Sequence, residues 1–127
     1  MKASKSLPAI LSTVLMFGSA ISAATAETIG ENLYKQHCAT CHAIAKDALG
    51  RNGPSLYGIV GKSAGQMGSF LYSAEFKKGL EGKIWTEDLL DAWLANPQKI
   101  ASGSYMMYRQ DDPSVRKAII NYLKTIQ

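Results

Sequence analysis

Cys38-Ala39-Thr40-Cys41-His42 constrains this chain more than any other stretch. A C-x-x-C-H run reads as the attachment site of a c-type haem. Two thiols one helical turn apart can each add to one of the two vinyl groups on the same porphyrin edge. The histidine after the second thioether is then held under the iron as proximal ligand. Two other readings of these residues are chemically weaker. A thioredoxin-like dithiol expects a βαβ context, and nothing here alternates strand with helix. Zinc, with His37 added, would need the sequence neighbours Cys41 and His42 to fit around one tetrahedral ion. Both cysteines of the chain are spent on the motif, which leaves none for a structural disulfide.

Residues 1–26 read as a secretory signal peptide. Lys2 and Lys5 form a basic start, Leu7 to Ile21 is largely apolar, and Ala24-Thr25-Ala26 supplies the small-residue cleavage pattern before Glu27. The alternative is an uncleaved membrane anchor. Ser12, Thr13, Gly18 and Ser19 interrupt the apolar run, however, which makes it short for a span of about 20 residues. Export also suits the motif, because the thiols can receive haem in the periplasm. Residues 27–127 then suffice for one small domain. Such a domain buries a limited share of its surface, so the haem would supply much of the core. The formal charge of +4 falls to +2 once Lys2 and Lys5 are set aside, and two haem propionates would bring it near neutral. Neither nucleic-acid binding nor strong long-range steering is expected of such a surface.

From Glu27 onward the pattern is helical. Thr28-Ile29-Gly30-Glu31 has the form of a capping box, with Thr28 as N-cap of a helix that runs into the haem motif. Gly30 inside that helix costs about 1 kcal/mol relative to alanine, which close approach of another helix would explain. Glycines 50, 53, 58, 61 and 65 with Pro54 mark a loop, packed through Leu56, Tyr57, Ile59 and Val60. A short helix is expected from Ser73 to Lys78, ended by Gly79. Thr86 opens a clearer one, with Glu87 and Asp88 in its first turn and Asn96-Pro97 as its stop. After a second irregular segment, 98–112, Asp112 caps a last helix with Pro113 at its first position. There Val115, Ala118, Ile119, Tyr122, Leu123 and Ile126 trace a continuous apolar stripe. No segment reads as a strand. The fold is therefore expected to be all-α, with about four helices.

These motifs, in this order, resemble the class I c-type cytochromes, the small soluble bacterial and mitochondrial type. The resemblance covers nearly all of 27–127. It rests on the attachment motif, the Arg51-Asn52-Gly53-Pro54-Ser55-Leu56-Tyr57-Gly58 loop, Trp93-Leu94-Ala95-Asn96-Pro97 followed by Gly103 and Met106, and Tyr122-Leu123 in the last helix. It implies the cytochrome c fold around one haem c, bound through Cys38 and Cys41. His42 and Met106 would be the iron ligands, and the Pro54 carbonyl would orient His42. Met107 and Met67 are the competing sulfurs, with register favouring Met106. Lys62, Tyr72, Trp85 and Ser104 would stand around the haem propionates, Trp93 would line the pocket, and Gly30 would let the first helix meet the last near Tyr122 and Tyr34.

Departures from the family pattern are Tyr57 for a common histidine, Lys62 for arginine and Trp93 for tyrosine. Ser102 replaces a proline, which predicts a looser methionine loop. The family's ring of docking lysines is thin, with Arg51, Lys99 and Arg109 as the candidates. The implied function is that of a periplasmic one-electron carrier, monomeric and without a permanent anchor. Its partners would be a quinol-oxidising cytochrome bc complex, a terminal oxidase, a photosynthetic reaction centre or a periplasmic dehydrogenase. The thin lysine ring leaves room for a dedicated subunit of one dehydrogenase. The looser loop leaves room for a haem enzyme or gas sensor with an open sixth site.

Overall fold

The computed structural model describes residues 2–3 and 20–127. Most of the expected signal peptide, residue 1 and residues 4–19, lies outside the described residues. Five helices follow in order: α1 (Ala20–His37), α2 (Ala74–Leu80), α3 (Glu87–Ala95), α4 (Pro97–Ile100) and α5 (Pro113–Thr125). That is one more than the sequence suggests, because Asn96-Pro97 ends one helix and begins another. Among the described residues the only β pairing is an isolated bridge, Ser63 with Ile84. No helix among them is long and apolar enough to cross a membrane.

The start of α1 differs from expectation. Alanine, the strongest helix former, recurs at 20, 23, 24 and 26, and the helix begins well before Thr28. That hydroxyl therefore donates back to the Ala24 carbonyl at 2.9 Å and caps nothing. Glu31 pairs instead with Lys35, one turn on, at 2.6 Å.

Gly30 explains how α1 crosses α5. A Cβ there would lie 2.6 Å from the Ala118 carbonyl oxygen and 2.8 Å from Tyr122 Cβ. The Tyr34 and Tyr122 rings meet at a tilt beside this contact, their centroids 5.7 Å apart. Gly30→Ala should force the helices apart. Overpacking costs about 1–3 kcal/mol, against about 0.5–1 kcal/mol gained in helix propensity. Because the first obstacle is main chain, a net loss is expected, lowering the thermal midpoint by about 5–10 °C. An unchanged melting curve would show that the crossing can relax.

The caps of the later helices follow the sequence closely. Ser73, Thr86 and Asp112 each accept a main-chain N–H of the first turn. Gly79, however, lies inside α2 rather than ending it. Its bare Cα faces the Ile100 carbonyl oxygen, 2.6 Å from where a Cβ would stand, and the chain turns at Gly82, where φ is +76°. Arg116 of α5 grips Asp91 of α3 with Nε to Oδ1 at 2.7 Å, and its Nη1 donates to the Gln110 and Asp111 carbonyls, 3.0 Å each. The helices thus frame one apolar interior, with Leu80 and Ile119 fully buried in it.

Candidate haem site

The attachment motif forms one turn directly after α1. Cys38 N–H donates to the Tyr34 carbonyl, and Cys41 and His42 N–H both donate to the Cys38 carbonyl. The rest of that turn is tied from outside. Arg51 Nη1 donates to the Ala39 carbonyl at 2.7 Å, Gly53 N–H to Cys41 at 2.9 Å and Leu56 N–H to Ala43 at 2.8 Å. Tyr34 donates its phenol to the His42 carbonyl at 2.6 Å. Burial, then the Cys38 sulfur nearby, push that phenol up to about 12, so it stays a donor. Burial likewise pushes the Cys38 thiol up to about 12, whereas Cys41 is exposed.

His42 is fixed at both its ring and its backbone. Its Nδ1 lies 2.8 Å from the Pro54 carbonyl oxygen. A carbonyl can only accept, so Nδ1 carries the proton and Nε2 keeps its lone pair. Burial lowers the His42 pKa from its ordinary value, opposed by the Pro54 bond, and so favours the neutral ring. The imidazole rests against Gly53: a Cβ there would lie 2.4 Å from Cε1 and 2.7 Å from Nδ1. Only glycine leaves room for the ring, a role the sequence reading did not give to Gly53.

Facing His42 is an apolar cavity of about 210 Å³. Cys38, Cys41, His42, Pro54, Tyr72, Trp85, Trp93, Ser104 and Met106 all line it, with Leu56, Ile59, Phe76, Leu90, Ile119 and Leu123 as much of its wall. Of the residues expected there, Lys62 is the exception. Its side chain is exposed and does not line the cavity, because its main chain is committed to the turn with Ile59 and Trp85. Phe76 stacks against Tyr72 and Phe70 meets it edge-on, contacts that the sequence does not suggest. The Tyr72 hydroxyl accepts Met67 N–H at 3.3 Å, leaving its own proton to donate.

Both neighbouring methionines reach the cavity rim, but they differ in exposure. Met107 is 75% exposed, whereas Met106 is partly buried against the core. The Trp93 indole Nε1–H donates to Met106 Sδ at 3.1 Å. Met67 packs on the core outside the cavity lining. Around the methionine the loop is held more firmly than Ser102 led us to expect, since Gln98 bonds to it at several points. Two of the candidate docking cations have partners within the chain. Arg51 is used by the attachment turn and Arg109 is paired with Asp111 at 2.8 Å.

The donor set fits a haem. Two thiols and one imidazole sit on a single turn, a thioether lies in the same cavity, and the walls are apolar and aromatic. Zinc fits poorly, since no group of three or more His, Cys, Asp or Glu among the described residues could hold a metal ion.

No family model matches the chain. It is 42% identical over 102 residues to cytochrome c2 of Rhodopila globiformis, covering 77% of this chain and 91% of that protein. It is 36% identical over 97 residues to cytochrome c of Gibberella zeae, covering 75% and 89%. Among solved structures, cytochrome c2 from Rhodospirillum centenum matches with a TM-score of 0.72 and 30% identity, over 80% of this chain and 98% of that one.

Proposed function

We infer the function from one premise: the chain belongs to the class I c-type cytochromes, the group of cytochrome c and cytochrome c2. It is accordingly an electron-transfer protein rather than an enzyme, works with redox partner proteins, and carries haem c bound covalently through its two cysteines. Beyond that, we propose a periplasmic carrier whose single haem iron is ligated by His42 and Met106, with residues 1–26 as the export signal. The observation that carries this reading is the placing of the His42 ring and the Met106 sulfur in one apolar cavity.

When bound, the haem supplies a one-electron couple between ferrous and ferric iron. The protein's part is to hold and tune it. Pro54 keeps the Nδ1 proton of His42 and so leaves Nε2 free to bind. A thioether ligand and apolar walls favour the lower-valent iron and raise the potential. Ser104 and Tyr72 each have a hydroxyl proton to offer acidic groups inside the cavity. His42 and Met106 would together hold the iron, leaving no residue position for a substrate there, and the bound haem would supply electron transfer alone. The donor and acceptor belong to the classes named above, a quinol-oxidising complex, oxidase, reaction centre or dehydrogenase. An open sixth site is not favoured, since its support was the looser methionine loop and Gln98 ties that loop.

The test is a visible spectrum of the purified protein, oxidised and reduced, with a redox titration. A low-spin spectrum with a methionine-to-iron charge-transfer band is expected. A reduced protein that binds carbon monoxide rapidly would overturn the ligation. The haem should also stay with the chain through denaturation and acid–acetone extraction, because both thioethers are covalent. Cys38→Ser and Cys41→Ser should each leave a single-bonded haem or no holoprotein. A colourless wild-type polypeptide after extraction would refute covalent attachment.

A further inference from the structure

Residues 101–107 have little intrinsic stiffness. Ser102 and Gly103 stand exposed, Gly103 has φ of +90°, and no element of regular structure spans the stretch. Holding such a segment in one conformation costs about 1–2 kcal/mol per residue in backbone entropy. Something must hold it, and one side chain makes most of the contacts. Gln98 Oε1 accepts Gly103 N–H at 2.8 Å. Gln98 Nε2 lies 3.0 Å from the Ser104 carbonyl, 3.2 Å from Ser104 Oγ and 3.1 Å from the Met106 carbonyl. The amide has two hydrogens for these three acceptors, so one is shared at Ser104 and the other goes to Met106.

Gln98 itself sits on a rigid base. It belongs to α4, whose Pro97 is buried, and its own N–H donates to Asn96 Oδ1 at 3.1 Å. We propose that Gln98 is the positioning residue for the ligand sulfur: its amide ties Gly103, Ser104 and the Met106 carbonyl to α4, so that the Met106 side chain is held against the core while Met107 stays at the exposed rim. Adjacent side chains of an extended segment point to opposite sides, so fixing the Met106 carbonyl selects which sulfur faces inward. Trp93 then meets that sulfur with its indole N–H. A thioether has two lone pairs, and the second remains for the iron. The proposal rests on the His42/Met106 reading above.

The experiment measures cyanide binding to the oxidised holoprotein, which must wait for the sulfur to leave, together with the charge-transfer band. Gln98→Leu keeps the volume and removes every polar contact. Gln98→Glu keeps an acceptor for Gly103 and removes both N–H donors. Both should bind cyanide about tenfold faster than wild type, the scale of one or two neutral hydrogen bonds lost, and lose the band at lower pH. Gly30→Ala, which loosens the α1–α5 crossing away from this loop, should bind at the wild-type rate despite its lower melting point. Amide exchange at Gly103 should accelerate in the Gln98→Leu variant only. Wild-type cyanide rates in both Gln98 variants would overturn the proposal, as would equal acceleration by Gly30→Ala. A wild-type rate in Gln98→Glu alone would overturn the role given to the N–H donors. A wild-type protein without the band would overturn the ligation reading itself, and the proposal with it.

Discussion

Replacing Met106 with alanine is expected to lower the reduction potential markedly and to open the iron to small ligands. In the proposed ligation the thioether is uncharged and sits among apolar walls, so it would stabilise ferrous iron over ferric. Water or hydroxide in its place reverses that preference. A hundredfold change in relative affinity for the two iron states corresponds to roughly 120 mV for one electron. Carbon monoxide should then bind the reduced variant rapidly, and the charge-transfer band should vanish. Met107→Ala should leave coordination intact and shift the potential far less, since that side chain is 75% exposed. The two variants bear on the register of the whole loop. Were Met107→Ala alone to lose the band, Ser104 would also be displaced from the place assigned to it.

What the sequence made legible is what depends on near neighbours in the chain. The attachment motif is local covalent chemistry, and its reading needed no fold. Asp112-Pro113 and the stripe from Val115 to Ile126 specify α5 from spacing alone, and the structure places the helix there. Gly30 was also legible, because a glycine within an apolar helical pattern asks for a neighbour, and α5 supplies one.

Reading failed where the answer depends on the path of distant chain. Thr28 has the pattern of a cap, but whether it caps is decided by the residues before it. Gly79 and Gly82 are equally good stops in sequence. Only the approach of Ile100 makes the first a contact glycine, leaving the left-handed turn to the second. Lys62 is expected beside the propionates only by resemblance, and its main-chain turn leaves it exposed and off the cavity wall. Gln98 carried no signal, since a glutamine on a short helix is ordinarily a solvated surface residue. Its partners are five to eight residues ahead, at positions that only a folded loop brings back.

Gly53→Ala is expected to be the most damaging single methyl group in the protein. Its Cβ would stand 2.4 Å from His42 Cε1, 2.7 Å from Nδ1 and 2.9 Å from Nε2. A ring at the end of a free side chain would swing aside at little cost. This one cannot, because Nδ1 is bound to the Pro54 carbonyl and the His42 carbonyl is bound by Tyr34. Nor can Gly53 retreat easily, since its N–H donates to Cys41 and its carbonyl accepts Arg51 N–H, both at 2.9 Å. Overpacking of this kind costs about 1–3 kcal/mol, and the lost hydrogen bond about 1 kcal/mol more. The consequence at the iron should exceed that at the fold. Loss of the partner that orients a ligating histidine typically costs 10–100-fold in metal affinity. The thioethers should still hold the haem, so haem staining of the denatured chain persists, while the folded protein turns partly high-spin and unfolds at lower denaturant. Gly50→Ala is the comparison. There the nearest obstacle, at 3.0 Å, is the Gly53 carbonyl oxygen, and the His42 ring is not in the way. It should keep a low-spin spectrum whatever its stability. A Gly53→Ala protein with the wild-type spectrum and the wild-type unfolding midpoint would mean that the imidazole is not held where the Pro54 bond and the bare Cα of Gly53 place it.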